Sequence, residues 1–362
     1  MKKKERESSF ELMRILSMFF VVLYHFLIST GGSILNNSSG NVLVFWEWIS
    51  MIIIVHVNSF ILSTGYFQYK QKFSWKKFFS LLIMGYMYKV IISIILQLVY
   101  HTPLSSVEIL RTFSPFYFNN YWFLSVYLLL YLLSPYINIL INKLSQKEHR
   151  NFIILLFIIF TIIPTITNQK TFSNTGFGII HFIYLYIIGS YLAKYPISLK
   201  NYSEKKLAIG FLFLFLFMGT VNFLLYEFFH HTLEIQGEGI LFHTTTAVNR
   251  NLFYYQNPLL IVQSISYFLI FSMFHFKSKI INHISCNIFA VYLITEHNQI
   301  IGFLYDKWLV NGIHSLALLP VWKIFVYALM VMIISIIIEE LRKIIIKIFV
   351  FLSKIFIKIC KN

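Results

Sequence analysis

Apolar runs of about twenty residues, one after another and parted by short polar clusters, leave this chain few solvents in which it could fold. A hydrocarbon layer of ~30 Å is crossed by about twenty apolar residues in helical conformation. Ten such runs lie roughly at 10–30, 43–67, 76–101, 121–142, 151–168, 177–193, 207–229, 257–276, 284–304 and 320–342. Only 12% of the 362 residues are charged, half of what a water-soluble domain carries. The expectation is an all-α polytopic membrane protein with about ten transmembrane helices.

The basic residues give an independent test of that reading. A net charge of +16 could suit a nucleic-acid partner, but the cations are spread in short clusters between apolar runs and gather on no polar face. Nucleic acid is therefore not expected. Placing the ten runs in a bilayer puts 23 Lys and Arg residues on the side of the N-terminus. Only Arg111, Lys170, Arg250, Lys307 and Lys323 fall on the other side. Short loops rich in Lys and Arg stay in the cytoplasm, so both termini are expected there, as are Cys286 and Cys360. Residues 1–342 read as one membrane domain. Residues 343–362, with Lys343, Lys347, Lys354, Lys358 and Lys361 among Ile and Phe, read as a basic amphipathic tail on the inner leaflet. The polar, Gly-interrupted stretch near 230–256 is a candidate acceptor-side loop and carries His230, His231 and His243.

Ionisable side chains within hydrocarbon are costly and mark candidate sites. They are Arg14 and His25 in the first run, Glu47 and His56 in the second, Lys89 in the third, Glu227 in the seventh, and Glu296 with His297 in the ninth. Arg14 and His25 stand eleven residues apart, close to three helical turns, so they share a face about 16 Å apart along the axis. Glu11 lies one turn before Arg14 on nearly the same face. A cation near one interface and an imidazole deeper in suit a substrate whose anionic part stays at the rim while its reactive end reaches inward. An imidazole at that depth serves either as a general base or as a hydrogen bonder between helices, and Arg14 either binds an anion or sets topology. Lys89 is too deep to snorkel easily and calls for a carboxylate partner or an anionic ligand. No zinc spacing, phosphate loop, nucleophile elbow or acidic metal motif is present, so no metal is expected.

Phe10-Glu11-Leu12-Met13-Arg14 followed by Leu23-Tyr24-His25-Phe26 resembles the opening helix of acyltransferase family 3, bacterial integral-membrane acyltransferases that include O-acetyltransferases of surface glycans. Ser63-Thr64-Gly65-Tyr66, Trp122-Phe123-Leu124 through Leu132-Leu133-Ser134-Pro135, Tyr184-Leu185-Tyr186 through Gly189, and Phe289 through Ile294 resemble further family segments in the same order. Thr64, Lys89 and Thr295 depart from the family's usual Ser, Arg and His. The resemblance implies a multi-pass protein of the bacterial inner (cytoplasmic) membrane. It also implies an acyl-CoA donor, acetyl-CoA in the simplest case, and a lipid-linked or surface glycan acceptor. His25 would be the catalytic base, with Arg14 holding the donor. Tyr66, Trp122 and Tyr292 are then candidates for stacking on a sugar ring, with Lys89, Glu11, Glu296 and His297 as further substrate-binding candidates; packing aromatics are the alternative for the first three. A glycan flippase or polymerase would share the basic, aromatic-rich, polytopic character.

Overall fold

The computed structural model describes residues 6–28, 34–100, 121–167, 174–197, 202–236, 252–301, 304 and 321–359. Residues 237–251 of the candidate outer loop, with His243, lie outside them, as do the side chain of His231, the four cations at 111, 170, 250 and 307, and Cys360. The described residues are helical, with no strand among them. The elements used below are α1 (Ser8–Ile28), α2 (Gly40–Ile53), α3 (His56–Gln68), α4 (Trp75–Tyr100), α5 (Trp122–Lys143), α6 (Gln146–Phe157), α7 (Ile179–Lys194), α8 (Glu204–Gln236), α9 (Pro258–Ser272), α10 (Lys279–Ser285), α11 (Ile288–Thr295) and α12 (Trp322–Ile359).

Among the described residues seven helical segments are long and apolar enough to cross a membrane, and three shorter apolar segments fall on the remaining runs, Ile179–Lys194, Pro258–Ser272 and Lys279–Thr295. α1 is the axis of the bundle, packed against α2, α3, α9, α10, α11 and α12. Residues such as Ile94, Ile95 and Leu98 on α4, or Phe213 and Phe217 on α8, turn outward, as expected of helices solvated by lipid.

Small residues decide where backbones meet. A Cβ on Gly65 of α3 would stand 2.2 Å from the Tyr186 carbonyl oxygen, and one on Gly189 of α7 would stand 2.2 Å from that of Leu62. The glycines of two family-like segments thus face each other across one helix crossing, as small residues do where membrane helices approach closely.

Two of the apolar runs are broken, and side chains from other helices supply the backbone partners that hydrocarbon cannot. α2 ends at Ile53 and α3 begins at His56. Around that break Gln263 Nε2 donates to the carbonyls of Met51 (3.1 Å) and Ile52 (3.3 Å), and His56 Nδ1 lies 2.9 Å from the carbonyl of Ile53. Gly219 admits Gln263, since a Cβ there would lie 2.6 Å from its amide nitrogen. α10 ends just inside the ninth run, α11 follows from Ile288, and α11 stops at Thr295. There the Tyr121 hydroxyl donates to the Leu293 carbonyl at 2.8 Å. In α5 the same economy operates at Pro135, whose ring denies the Tyr131 carbonyl its helical N–H; the Ser134 hydroxyl donates to that carbonyl at 2.7 Å.

α12 passes residue 342, the boundary drawn for the tail, without interruption. Arg342 forks onto the buried Glu339 at 2.6 and 2.7 Å, and the Tyr88 hydroxyl of α4 donates to the same carboxylate. Lys343 reaches Asn287 and Glu340, and His283 pairs with Glu340 at 3.3 Å, so the start of the tail is fastened to α10 and the turn after it.

Candidate active site

A cavity of about 550 Å³ runs beside α1, with Arg6 and Arg14 at one end and His25 and Ile28 toward the other. Seven of the ionisable and aromatic candidates singled out from sequence line it: Glu11, Arg14, His25, His56, Trp122, Tyr292 and Glu296.

At the first end the central group is the Glu11 carboxylate, only 6% exposed. Arg14 Nη1 lies 3.2 and 3.3 Å from its two oxygens, Arg6 lies 3.8 Å away, and the Ser285 hydroxyl of α10 donates to it. The other arm of Arg14 donates to Ser63 Oγ at 3.0 Å, and its guanidinium lies 5.6 Å from the Phe67 ring centre. Ser63 and Phe67 flank Gly65 on α3, so the glycine crossing that positions α3 also positions the Arg14 fork. Two guanidiniums against one carboxylate leave a net positive mouth, suited to a phosphate-bearing ligand.

Toward the other end His25 Nδ1 lies 2.9 Å from Glu296 Oε1. The imidazole is 24% exposed and lines the cavity, and the carboxylate is 11% exposed. Glu296 follows the last residue of α11, so the helix break sets it against α1. Behind it a clamp holds the break to α4: Lys89 Nζ donates to the Asn298 amide oxygen, and His297 Nε2 lies 3.2 Å from the Lys89 carbonyl and 3.3 Å from Ser93 Oγ. Lys89 and His297 are buried in this clamp and do not line the cavity. Tyr66 does not line it either; its ring packs 5.2 Å from those of both Phe10 and Phe268.

A carboxylate on Nδ1 fixes which imidazole nitrogen carries the proton and steadies the ring, the arrangement a histidine general base requires. The family model described as an acyltransferase domain matches residues 7–340. The chain belongs to acyltransferase family 3. Within this membrane acyltransferase the matched span takes in every cavity-lining residue but Arg6, from Glu11 to Glu296. No curated protein and no solved structure matches the chain.

Several lining or supporting residues were not legible from sequence. Ser285 and Tyr255 carry no intramembrane charge to flag them, and Arg6 read only as a topology signal. Ser63 could have been found, since it precedes Gly65 in a family-like segment. His56 was flagged by its depth, and it lines the cavity. Glu47, flagged in the same way, accepts from the Tyr226 hydroxyl at 3.3 Å, away from the cavity lining.

Proposed function

We propose that this acyltransferase moves an acyl group, acetyl in the simplest case, from cytoplasmic acyl-CoA to a hydroxyl of a cell-surface or lipid-linked glycan, in the bacterial cytoplasmic membrane. The observation that carries the reading is the His25–Glu296 pair opening on a cavity whose other end is the Arg14 cluster. The donor's phosphates rest against Arg14 and Arg6 at the cytoplasmic mouth, and its pantetheine arm follows α1 inward past Met18 and Val21, both of which line the cavity. The eleven residues between Arg14 and His25 span about 16 Å, within the reach of such an arm.

With Glu296 accepting from Nδ1–H, Nε2 is the basic nitrogen of His25. It takes the proton of the acceptor hydroxyl as that oxygen attacks the thioester carbonyl carbon. The C–S bond breaks, the imidazolium passes its proton to the leaving thiolate, and the products are an O-acyl ester and free CoA thiol. Glu296 stabilises the imidazolium between these two proton transfers and takes no proton itself.

The test is NMR of the surface polysaccharide from cells with the gene, without it, and with only the His25→Ala form, scoring acyl esters against total polymer. Loss of esters with polymer retained in both defective strains is expected. Loss of the polymer itself would mean a flippase or polymerase, and full acylation by His25→Ala would remove His25 as the base.

A further inference from the structure

The segment between α8 and α9 ends the stretch that sequence assigned to the acceptor side, and its described part folds into the cavity through Phe253, Tyr254 and Tyr255. Tyr255 is fixed far more firmly than a loop residue needs to be. Asn58 Nδ2 donates to its carbonyl at 3.1 Å, and the Asn58 side-chain oxygen is in turn 3.1 Å from His181 Nε2. Asn222 and Asn257 both donate to the Leu252 carbonyl, at 3.1 and 2.9 Å, and Asn257 also caps α9. Gly176, at a φ of 91°, makes room for the tyrosine, since a Cβ there would lie 2.6 Å from that of Tyr255. Trp122 stacks on the phenol ring at 6.2 Å and 24°, and Phe177 meets it edge-on at 5.0 Å.

The hydroxyl is fixed as well, and its proton can be assigned. His56 Nδ1 lies 2.9 Å from the Ile53 carbonyl, which can only accept, so Nδ1 carries the hydrogen. In the neutral ring Nε2 is then an acceptor, and the Tyr255 hydroxyl, 3.2 Å away, must donate to it. The phenol's single proton is committed to His56. What Tyr255 offers to the cavity is an oxygen lone pair, which selects a ligand group bearing O–H or N–H.

We propose that Tyr255, oriented by His56, is the acceptor-recognition residue of this enzyme: a hydroxyl of a polyhydroxylated acceptor donates to Tyr255 Oη and is thereby held near His25. The inference rests on the transfer reading above and adds the residue that chooses the acceptor. With its proton committed to His56, the buried oxygen can only accept from the cavity, so it also discriminates against an acceptor lacking that hydroxyl, because its lone pair would be left without a donor.

The test uses the full chain in lipid nanodiscs, with labelled acetyl-CoA and host surface polysaccharide stripped of esters by mild alkali as the probes. Tyr255→Phe is expected to raise the apparent KM for polysaccharide on the order of tenfold, the worth of one hydrogen bond, while the KM for acetyl-CoA stays within twofold. His56→Leu, which frees the phenol proton, is expected to move the same parameter in the same direction. Unchanged acceptor KM in Tyr255→Phe would overturn the proposal, as would a parallel loss in both substrates accompanied by a lower melting temperature. A wild-type protein that turns over acetyl-CoA while Tyr255→Phe behaves identically sinks only this assignment. A wild type that transfers nothing from acetyl-CoA sinks the transfer reading as well.

Discussion

Replacing Glu296 with glutamine separates the charge of the His25 partner from its shape. The side chain keeps its length and an oxygen able to accept from Nδ1–H, so the ring keeps its tautomer; what disappears is the negative charge 2.9 Å from the imidazole. A hydrogen bond to a charged group is worth about 1.5–3 kcal/mol and a neutral one about 1 kcal/mol. With the carboxylate only 11% exposed, little water screens it and the upper figure applies, leaving a difference of about 2 kcal/mol. Expressed in the transition state, where the imidazole is cationic, that is roughly a 30-fold fall in kcat. Glu296→Ala also loses the orienting bond, about 1 kcal/mol more, and is expected near 150-fold. The assay is thiol release from acetyl-CoA in nanodiscs at saturating acceptor, with a melting curve for each variant to show that the bundle is intact. A Glu296→Gln enzyme within twofold of wild type in kcat, with an unchanged melting temperature, would refute the role of the pair in catalysis.

Arg14→Ala is expected to lower kcat/KM for acetyl-CoA by ten- to a hundredfold, and Arg14→Lys by less, since the charge stays although one ammonium cannot span Ser63 and both Glu11 oxygens as the fork does; steady-state kinetics over donor concentration read this directly. Gly65→Ala places a methyl 2.2 Å from the Tyr186 carbonyl oxygen and is expected to cost about 1–3 kcal/mol or more, seen as a lower melting temperature and poor recovery from membranes. Lys89→Met breaks the clamp on Asn298 and is expected to reduce kcat about tenfold with the donor KM unchanged, because Glu296 loses its fixed position while the Arg14 end is untouched. A fluorescent protein fused after residue 362 is expected to glow, and a reporter active only outside the cytoplasm to stay silent at the same position.

Each apolar run from which a helix was read carries one, because length and hydropathy alone govern that outcome. The shared face of Arg14 and His25 was equally accessible, since helical geometry over eleven residues needs no knowledge of the rest of the fold. Partner choice was not. Lys89 reaches the amide oxygen of Asn298, two hundred residues away in sequence, a contact no local pattern announces. Glu296 and His297 looked like one polar pair on one turn, yet the break after α11 sends Glu296 to His25 and His297 to Ser93. Neither that break nor the one at residues 54–55 is marked by Gly or Pro. Gln263, His56 and Tyr121, from other parts of the chain or across the gap itself, make the breaks tolerable, and no local pattern reports such long-range capping. Tyr66 stands beside a family-like glycine, but its ring belongs to the packing of α1, α3 and α9.

The length of the cavity has an electrical consequence. From Glu11 to Ile28, both of which line it, α1 rises about 26 Å, most of the hydrocarbon thickness. The polar groups stand toward its two ends, while Met18, Val21, Phe60 and Phe123 line it between them. Water leaves an apolar passage of this kind readily, so the middle of the cavity acts as the insulator of an energised membrane. Its potential then falls across those few side chains instead of the whole bilayer. A full elementary charge crossing 100 mV costs or gains about 2.3 kcal/mol. In the transfer proposed above the proton passes from acceptor to His25 to thiolate within the cavity, so no elementary charge crosses the whole drop, and acyl transfer is expected to be nearly independent of the cell's energisation.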